Sequence, residues 1–537
     1  MTIWISRREP DAIAAEAQAL DPNLPLAGLR LAVKDNIDVA GLPTTAACPA
    51  YSYDPVADAP VVARLRAAGA VVAGKTNLDQ FATGLVGTRS PHGAVESPVA
   101  PGFVAGGSSS GSAAAVARGE VDVALGTDTA GSGRVPAAFC GVVGIKPTRG
   151  WLSTRGVVPA CRSLDCVSVF GRDIPTAAAV VEAAAAFDPD DPMSRQPVVA
   201  GRPVVRLGRP SRRDLEGVCD PAVVDAFERS LNDAPFDLVD VDLTAYLDAG
   251  RLLYEGAFVA ERYASVGGFV DAHPDDVDPI VRQIIRDAGA LSGAALAADQ
   301  VRLASLRRAA EGLWATVDAL VVPTTPTHPT LAQVAADPLG VNARLGRFTN
   351  GTNLLDWCAV AVPGATRADG LPGGISLLGP AWTDRALWIA AAELTRTTAP
   401  GPAPDPVDIP LAVCGAHLEG QPLHHQLSDR GARLVARTTT APCYRMVALD
   451  TVPAKPGLVR VAPGHPDGAV IEVEVWTLGA EAFGSFVAAI PPPLVIGTLE
   501  LADGAWVKGF LCEPHATVGA EDITSYGGWR AWRAAHS

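Results

Sequence analysis

The chain predicts an α/β fold: a large domain whose mixed central sheet is covered by helices, followed by a small α+β, mainly β-rich domain. Three observations carry this. Strand-like and helix-like runs alternate through most of the 537 residues, the pattern of strands joined by covering helices. The proline-rich stretch Thr397-Thr398-Ala399-Pro400-Gly401-Pro402-Ala403-Pro404-Asp405-Pro406 then interrupts the alternation, as a stiff extended linker would. Beyond it the chain turns to short β-rich runs separated by turn residues. The expected domains are 1–398 and 411–537, with 399–410 between them.

Along the first domain, Leu29, Leu31 and Val33 alternate with Arg30 and Ala32, the two-residue period of a strand with one buried face. Lys34 falls at its end. A helix from Asp58 leads to a strand over 69–74. Gly106-Gly107-Ser108-Ser109-Ser110-Gly111 is too glycine-rich for a regular element. An alanine-rich helix over 112–118 follows, then a strand over 121–125 and the small-residue loop Gly126-Thr127-Asp128-Thr129-Ala130-Gly131-Ser132-Gly133. A helix from Ala298 precedes a strand over 319–322, and a last helix covers 385–395. In the second domain the strand candidates are 411–413, 457–461, 469–476 and 494–501.

Composition narrows the setting. Hydrophobic residues make up 48% and charged residues 19%, ample for a large core. A net charge of -15 argues against nucleic acid or an anionic membrane as partner. The nine cysteines are scattered without metal-ligand spacing and read as reduced core residues. No N-terminal leader pattern or membrane-length apolar run is evident, so a soluble cytoplasmic protein is expected.

The chemistry resides in one lysine and two serines. A serine hydroxyl attacks only when a base removes its proton and donors hold the resulting oxyanion. A lysine held against apolar neighbours has its charged form disfavoured and can accept a proton. Successive N–H groups in the loop over 126–133 could face one cavity. Each signal alone also fits an ordinary surface lysine and flexible serine-rich loops. The histidine-based alternative lacks its base, because His92 sits in a Pro-His-Gly turn and the next histidine is His273.

The motifs GGSSSGS and GTDTAGSGRVPAAFCGVVGIKPT closely resemble the mark of the amidase signature family. By motif position the resemblance implies Lys34 as base, Ser108 as a bridging serine on a cis peptide, and Ser132 as nucleophile. It also implies an oxyanion hole from the backbone of Thr129, Ala130, Gly131 and Ser132. Ser110 stands where many members have glycine, which leaves its role open. The helix-like segment Leu252-Leu253-Tyr254-Glu255-Gly256-Ala257-Phe258-Val259-Ala260-Glu261-Arg262-Tyr263 is similar to one in allophanate hydrolases, where a tyrosine and an arginine grip the substrate; this implies Tyr254 and Arg262. The region from Val413 to the GGWRAW stretch resembles those enzymes' C-terminal domain, which is similar in fold to γ-glutamyl cyclotransferases. There the resemblance implies a histidine, His417 before His424 or His425, acting on an N-carboxyurea product. It further implies allophanate as substrate, urea or biuret degradation as setting, a urea carboxylase as functional partner, a homodimer, and no metal or organic cofactor. The N-terminal stretch is shorter than in typical members, which weakens the family's N-terminal dimer contacts here. Two alternatives stay open: an amidase of other specificity, such as a glutamine-dependent transamidation subunit, and a non-catalytic scaffold.

Overall fold

The structure is a computed structural model describing residues 2–197, 203–401 and 409–536. It divides into two compact units, Met1–Gly401 and Pro402–Ser537. Most of the proline-rich segment, residues 402–408, lies outside the described residues.

The first unit is built on an eleven-stranded mixed sheet. In spatial order its strands are Trp4–Arg7, Val71–Thr76, Arg30–Lys34, Val123–Asp128, Cys166–Gly171, Val143–Lys146, Trp357–Pro363, Gly374–Pro380, Ala319–Pro323, Arg206–Arg209 and Asp237–Asp240. Arg30–Lys34 runs parallel to both of its neighbours, whereas the central strands from Val123–Asp128 to Ala319–Pro323 pair antiparallel. The expectation of one buried face for Arg30–Lys34 is corrected: Leu31, Ala32, Val33 and Lys34 are all buried. Helices cover both sides. Leu31 and Val33 join the large core, and Ala32 joins a second cluster with Ala113, Ala114 and Ala115.

That second cluster is centred on the helix Ser110–Ala117, which is buried along nearly its whole length. Small residues let it approach the sheet closely. At Gly111 a side chain would strike the Ile3 carbonyl and the Asn77 backbone. The helix therefore begins inside the glycine-serine run, earlier than its composition suggests, because this packing holds the glycines in place.

The second unit contains a five-stranded sheet, ordered Arg433–Thr439, Glu472–Leu478, Ile409–Val413, Trp506–Cys512 and Leu494–Glu500, and a three-stranded sheet of Lys455–Arg460, Tyr444–Leu449 and Glu521–Asp522. Its core has its own members, including Leu411, Val413, Tyr444, Leu458, Val473, Phe486 and Trp529. All nine cysteines are free and buried. No helix among the described residues is long and apolar enough to cross a membrane.

Candidate active site

Lys34 is the last residue of its strand and is completely buried. Its Nζ donates to Ser108 Oγ at 2.7 Å and to Thr127 Oγ1 at 2.6 Å. Burial pushes its pKa down to about 7, against the pull of Asp79, Asp165 and Asp128 and with help from Arg262. A lysine in this state is neutral over much of the physiological range and can take a proton.

Ser108 follows a cis peptide bond, Gly107–Ser108. Its carbonyl accepts the Asp79 N–H at 3.1 Å. The Asp79 carboxylate in turn accepts from the N–H groups of Gly87 and Arg89 at 3.0 and 2.9 Å. Next to it, Ser109 Oγ donates to the Thr127 carbonyl at 3.1 Å and accepts the Thr127 N–H at 3.3 Å. The serine run is thus fastened to the end of the strand Val123–Asp128. Ser110 Oγ reaches only the Asn77 carbonyl, at 3.5 Å.

Ser132 lies 4% exposed in the loop after that strand. Asp128 sets the loop's shape: its carboxylate accepts the Gly131 N–H at 2.8 Å and the Gly133 N–H at 3.0 Å. The Arg134 guanidinium grips the same carboxylate with two hydrogen bonds of 2.9 Å, and both side chains are fully buried. Burial alone would raise the Asp128 carboxyl, but Arg134 and the loop amides hold it below the usual carboxylate range. Arg134 also donates to Thr352 Oγ1 at 2.8 Å, and Asn353 Nδ2 donates to the Asp128 carbonyl at 2.7 Å. From the far side, Thr349 Oγ1 donates to the Ala130 carbonyl at 2.6 Å. Gly131 has φ +132°, and a side chain there would fall on the Thr349 hydroxyl. Because Gly131 gives its N–H to Asp128, the N–H groups of Thr129, Ala130 and Ser132 are the ones that find no backbone or side-chain acceptor among the described residues.

The segment with Tyr254 and Arg262 is not one helix. Gly256 is extended, at φ -104° and ψ -170°, and the Ala257 N–H donates to Asp299 at 2.7 Å. The helix Ala260–Ala272 starts beyond this break. Arg262 is 3% exposed and donates to Thr83 Oγ1 at 2.9 Å; its charge is felt at Lys34. Tyr254 lines a cavity of about 540 Å³ that neither Arg262 nor Lys34, Ser108 and Ser132 lines.

In the second unit, His417 follows the strand Ile409–Val413 and is 7% exposed. Its ring stacks on Phe510 at 5.0 Å and meets the edge of Phe486. Nε2 pairs with Gln426 Oε1 at 3.0 Å, and burial lowers its pKa to about 4. His424 rests against Trp476, and His425 is bonded to the Pro422 carbonyl.

Several residues that shape the site escape a reading of the sequence. Thr127 is the second partner of Lys34, and Asp128 and Arg134 brace the loop; all three stand within the serine motif but carry no mark of these roles. Asp165, which accepts from Thr129 Oγ1 at 2.5 Å and from the N–H groups of Ala160 and Cys161, and Thr83 carry no local signal at all.

The amidase family profile matches residues 4–388. This chain belongs to the amidase family. A second profile, the allophanate hydrolase C-terminal domain, matches residues 409–534. This amidase is similar to the solved structure of Kluyveromyces lactis allophanate hydrolase, with 41% identity, a TM-score of 0.72, and coverage of 99% of this chain and 93% of that one. It is 42% identical to the urea amidolyase of Saccharomyces cerevisiae over 98% of its own length but only 31% of the relative's. The amidase thus spans about a third of that longer protein. A glutamyl-tRNA(Gln) amidotransferase chain of Thermus thermophilus is 36% identical over 72% of this chain and 88% of that one.

Proposed function

We propose that this amidase hydrolyses the terminal amide of allophanate, urea-1-carboxylate. The observation that carries the reading is the buried Lys34 Nζ, 2.7 Å from Ser108 Oγ, in a chain that resembles an allophanate hydrolase across both of its units. Neutral Lys34 draws the proton of Ser132 through Ser108, and Ser132 Oγ attacks the carbamoyl carbon. The N–H groups of Thr129, Ala130 and Ser132 hold the oxyanion, while the Gly131 N–H keeps the loop in shape through Asp128. Ammonia leaves with the relayed proton, water activated by the same pair attacks the acyl-enzyme, and Tyr254 and Arg262 orient the carboxylate.

Atom balance corrects one expectation. N-carboxyurea is allophanate itself, so replacing the terminal NH₂ by a hydroxyl gives N-carboxycarbamate. That product loses carbon dioxide to leave carbamate, which yields the second ammonia. The unit with His417 acts on this product. We place the enzyme in the cytoplasm, as a homodimer, taking its substrate from a urea carboxylase in urea degradation. Purified protein should release ammonia from allophanate well above its rate on glutamine, malonamate or propionamide. Preference for glutamine would overturn the reading in favour of a role in transamidation.

A further inference from the structure

The second unit holds a cation that its own fold leaves without a counter-ion. The strand Ile409–Val413 runs into the turn Cys414-Gly415-Ala416-His417, which packs against the start of the strand Lys455–Arg460; a side chain at Gly415 would strike the Pro456 ring. This close approach puts Lys455 at the edge of a small cleft that it lines together with Gly415, Ala416, His417 and Phe510. Lys455 is half-buried and has no carboxylate partner among the described residues. No acidic residue among them lines the cleft either, so Lys455 is its one full charge. That charge is felt at His417.

The backbone of the turn adds donors. The N–H groups of Gly415, Ala416 and His417 find no backbone or side-chain acceptor among the described residues. His417 spends Nε2 on Gln426, which leaves Nδ1 as the ring atom for a ligand. A cation beside a row of free N–H groups asks for an anion rich in acceptor oxygens. N-carboxycarbamate fits this demand: it carries two carboxylates on one nitrogen, so one can meet Lys455 while the other accepts from the turn. Allophanate carries a single carboxylate and would leave part of the donor set unmatched.

We propose that Lys455, with the N–H groups of Gly415, Ala416 and His417, holds the two carboxylates of N-carboxycarbamate, so that the second unit takes the doubly charged product rather than the substrate. This rests on the role proposed above for the unit with His417. In the full chain given allophanate, Lys455→Met should leave the rate of the first ammonia unchanged and slow the second about tenfold or more, as loss of a charged hydrogen bond does. Lys455→Arg should recover part of that rate. Malonate, which replaces the central NH by CH₂ and does not decompose, should shift the His417 ring resonances in the parent's NMR spectrum and leave those of Lys455→Met in place. A second ammonia as prompt in Lys455→Met as in the parent would overturn the proposal. A parent chain that itself releases only one ammonia promptly would overturn it together with the role of the second unit, while that first ammonia leaves the amide reaction standing. Should Lys455→Met fail to fold, the parent alone decides: His417 resonances unmoved by malonate would overturn the proposal.

Discussion

At the scale of single residues, the central fact is a lysine whose charge has been made expensive. Desolvation brings Lys34 to about 7, so below that pH the proposed base is protonated and above it the proposed base is free. The rate of ammonia release should therefore rise with pH through an inflection near 7 and level off on the alkaline side. Lys34→Ala should abolish that inflection together with nearly all of the rate. Ser132→Ala should lose activity to a similar depth, roughly a thousandfold or more, because residues acting as one unit do not fail additively. Stopped assays of ammonia across pH check both. A Ser132→Ala rate close to the parent's would remove the nucleophile assignment. A pH profile without an inflection would remove the base.

At the scale of elements, the loop of Ser132 owes its form to a buried ion pair. Removing the charge of Asp128 would leave Arg134 ionised inside the protein, and breaking a buried pair in this way costs about 3–5 kcal/mol. Asp128→Asn should thus lower the melting temperature by many degrees and impair catalysis, although Asp128 touches no reacting atom. Thermal unfolding followed by circular dichroism checks it; a variant as stable as the parent would show that the loop holds its shape without the brace. This element also shows what is legible in the sequence. The motif from Gly126 to Thr148 places the loop between strand and helix, and its residues carry the site. The strand Arg30–Lys34 follows from its alternation, but its second buried face does not, since Ala32 is neutral in such a pattern and its burial depends on a helix some eighty residues later. Tyr254 and Arg262 read as one helical segment, because the break at Gly256 is set by Asp299, far along the chain. Of the strands absent from the expected set, Arg433–Thr439 carries Arg433 and Arg437 on its open face, whereas Tyr444–Leu449 and Trp506–Cys512 each hold a single charged residue among largely apolar ones.

At the scale of the whole molecule, each unit has its own core, so the first should fold alone. A chain ending at Gly401 should keep its amide activity and release about one ammonia promptly from allophanate, the second following only at the solution rate. Prompt release of both would leave His417 without a chemical role. Both units hold groups that make them sensitive to acid. His417 is held at about 4, below its unfolded value near 6.5, so its contribution is complete above that value and is lost as pH falls toward 4. The lowered carboxyls of Glu474 and Asp522 lose theirs at still lower pH. In the first unit, His328, also held at about 4, acts in the same direction, as do the lowered carboxyls of Asp122, Asp128, Asp188, Asp318 and Asp369, while burial raises Asp79, Asp165 and Asp384. Hydrogen exchange should therefore show protection falling in both units as pH is lowered from about 6.5 toward 4; protection unchanged over that range would contradict the lowered histidines.

The order of strands in the large sheet also bears on how the chain is born. Val143–Lys146 forms the seam to the sheet's far half, and its partner there is Trp357–Pro363. At ordinary speeds of synthesis, roughly 5–20 residues per second, the roughly 200 residues between them take about 10–40 s to emerge. For that interval the nascent first half carries an open β-edge beside its most apolar strands, the kind of surface that invites pairing with another chain. A ribosome that pauses between these two strands would lengthen the exposure, and one that speeds through would shorten it. The yield of native enzyme should therefore depend on the tempo of translation over this stretch more than on that of any other part of the message.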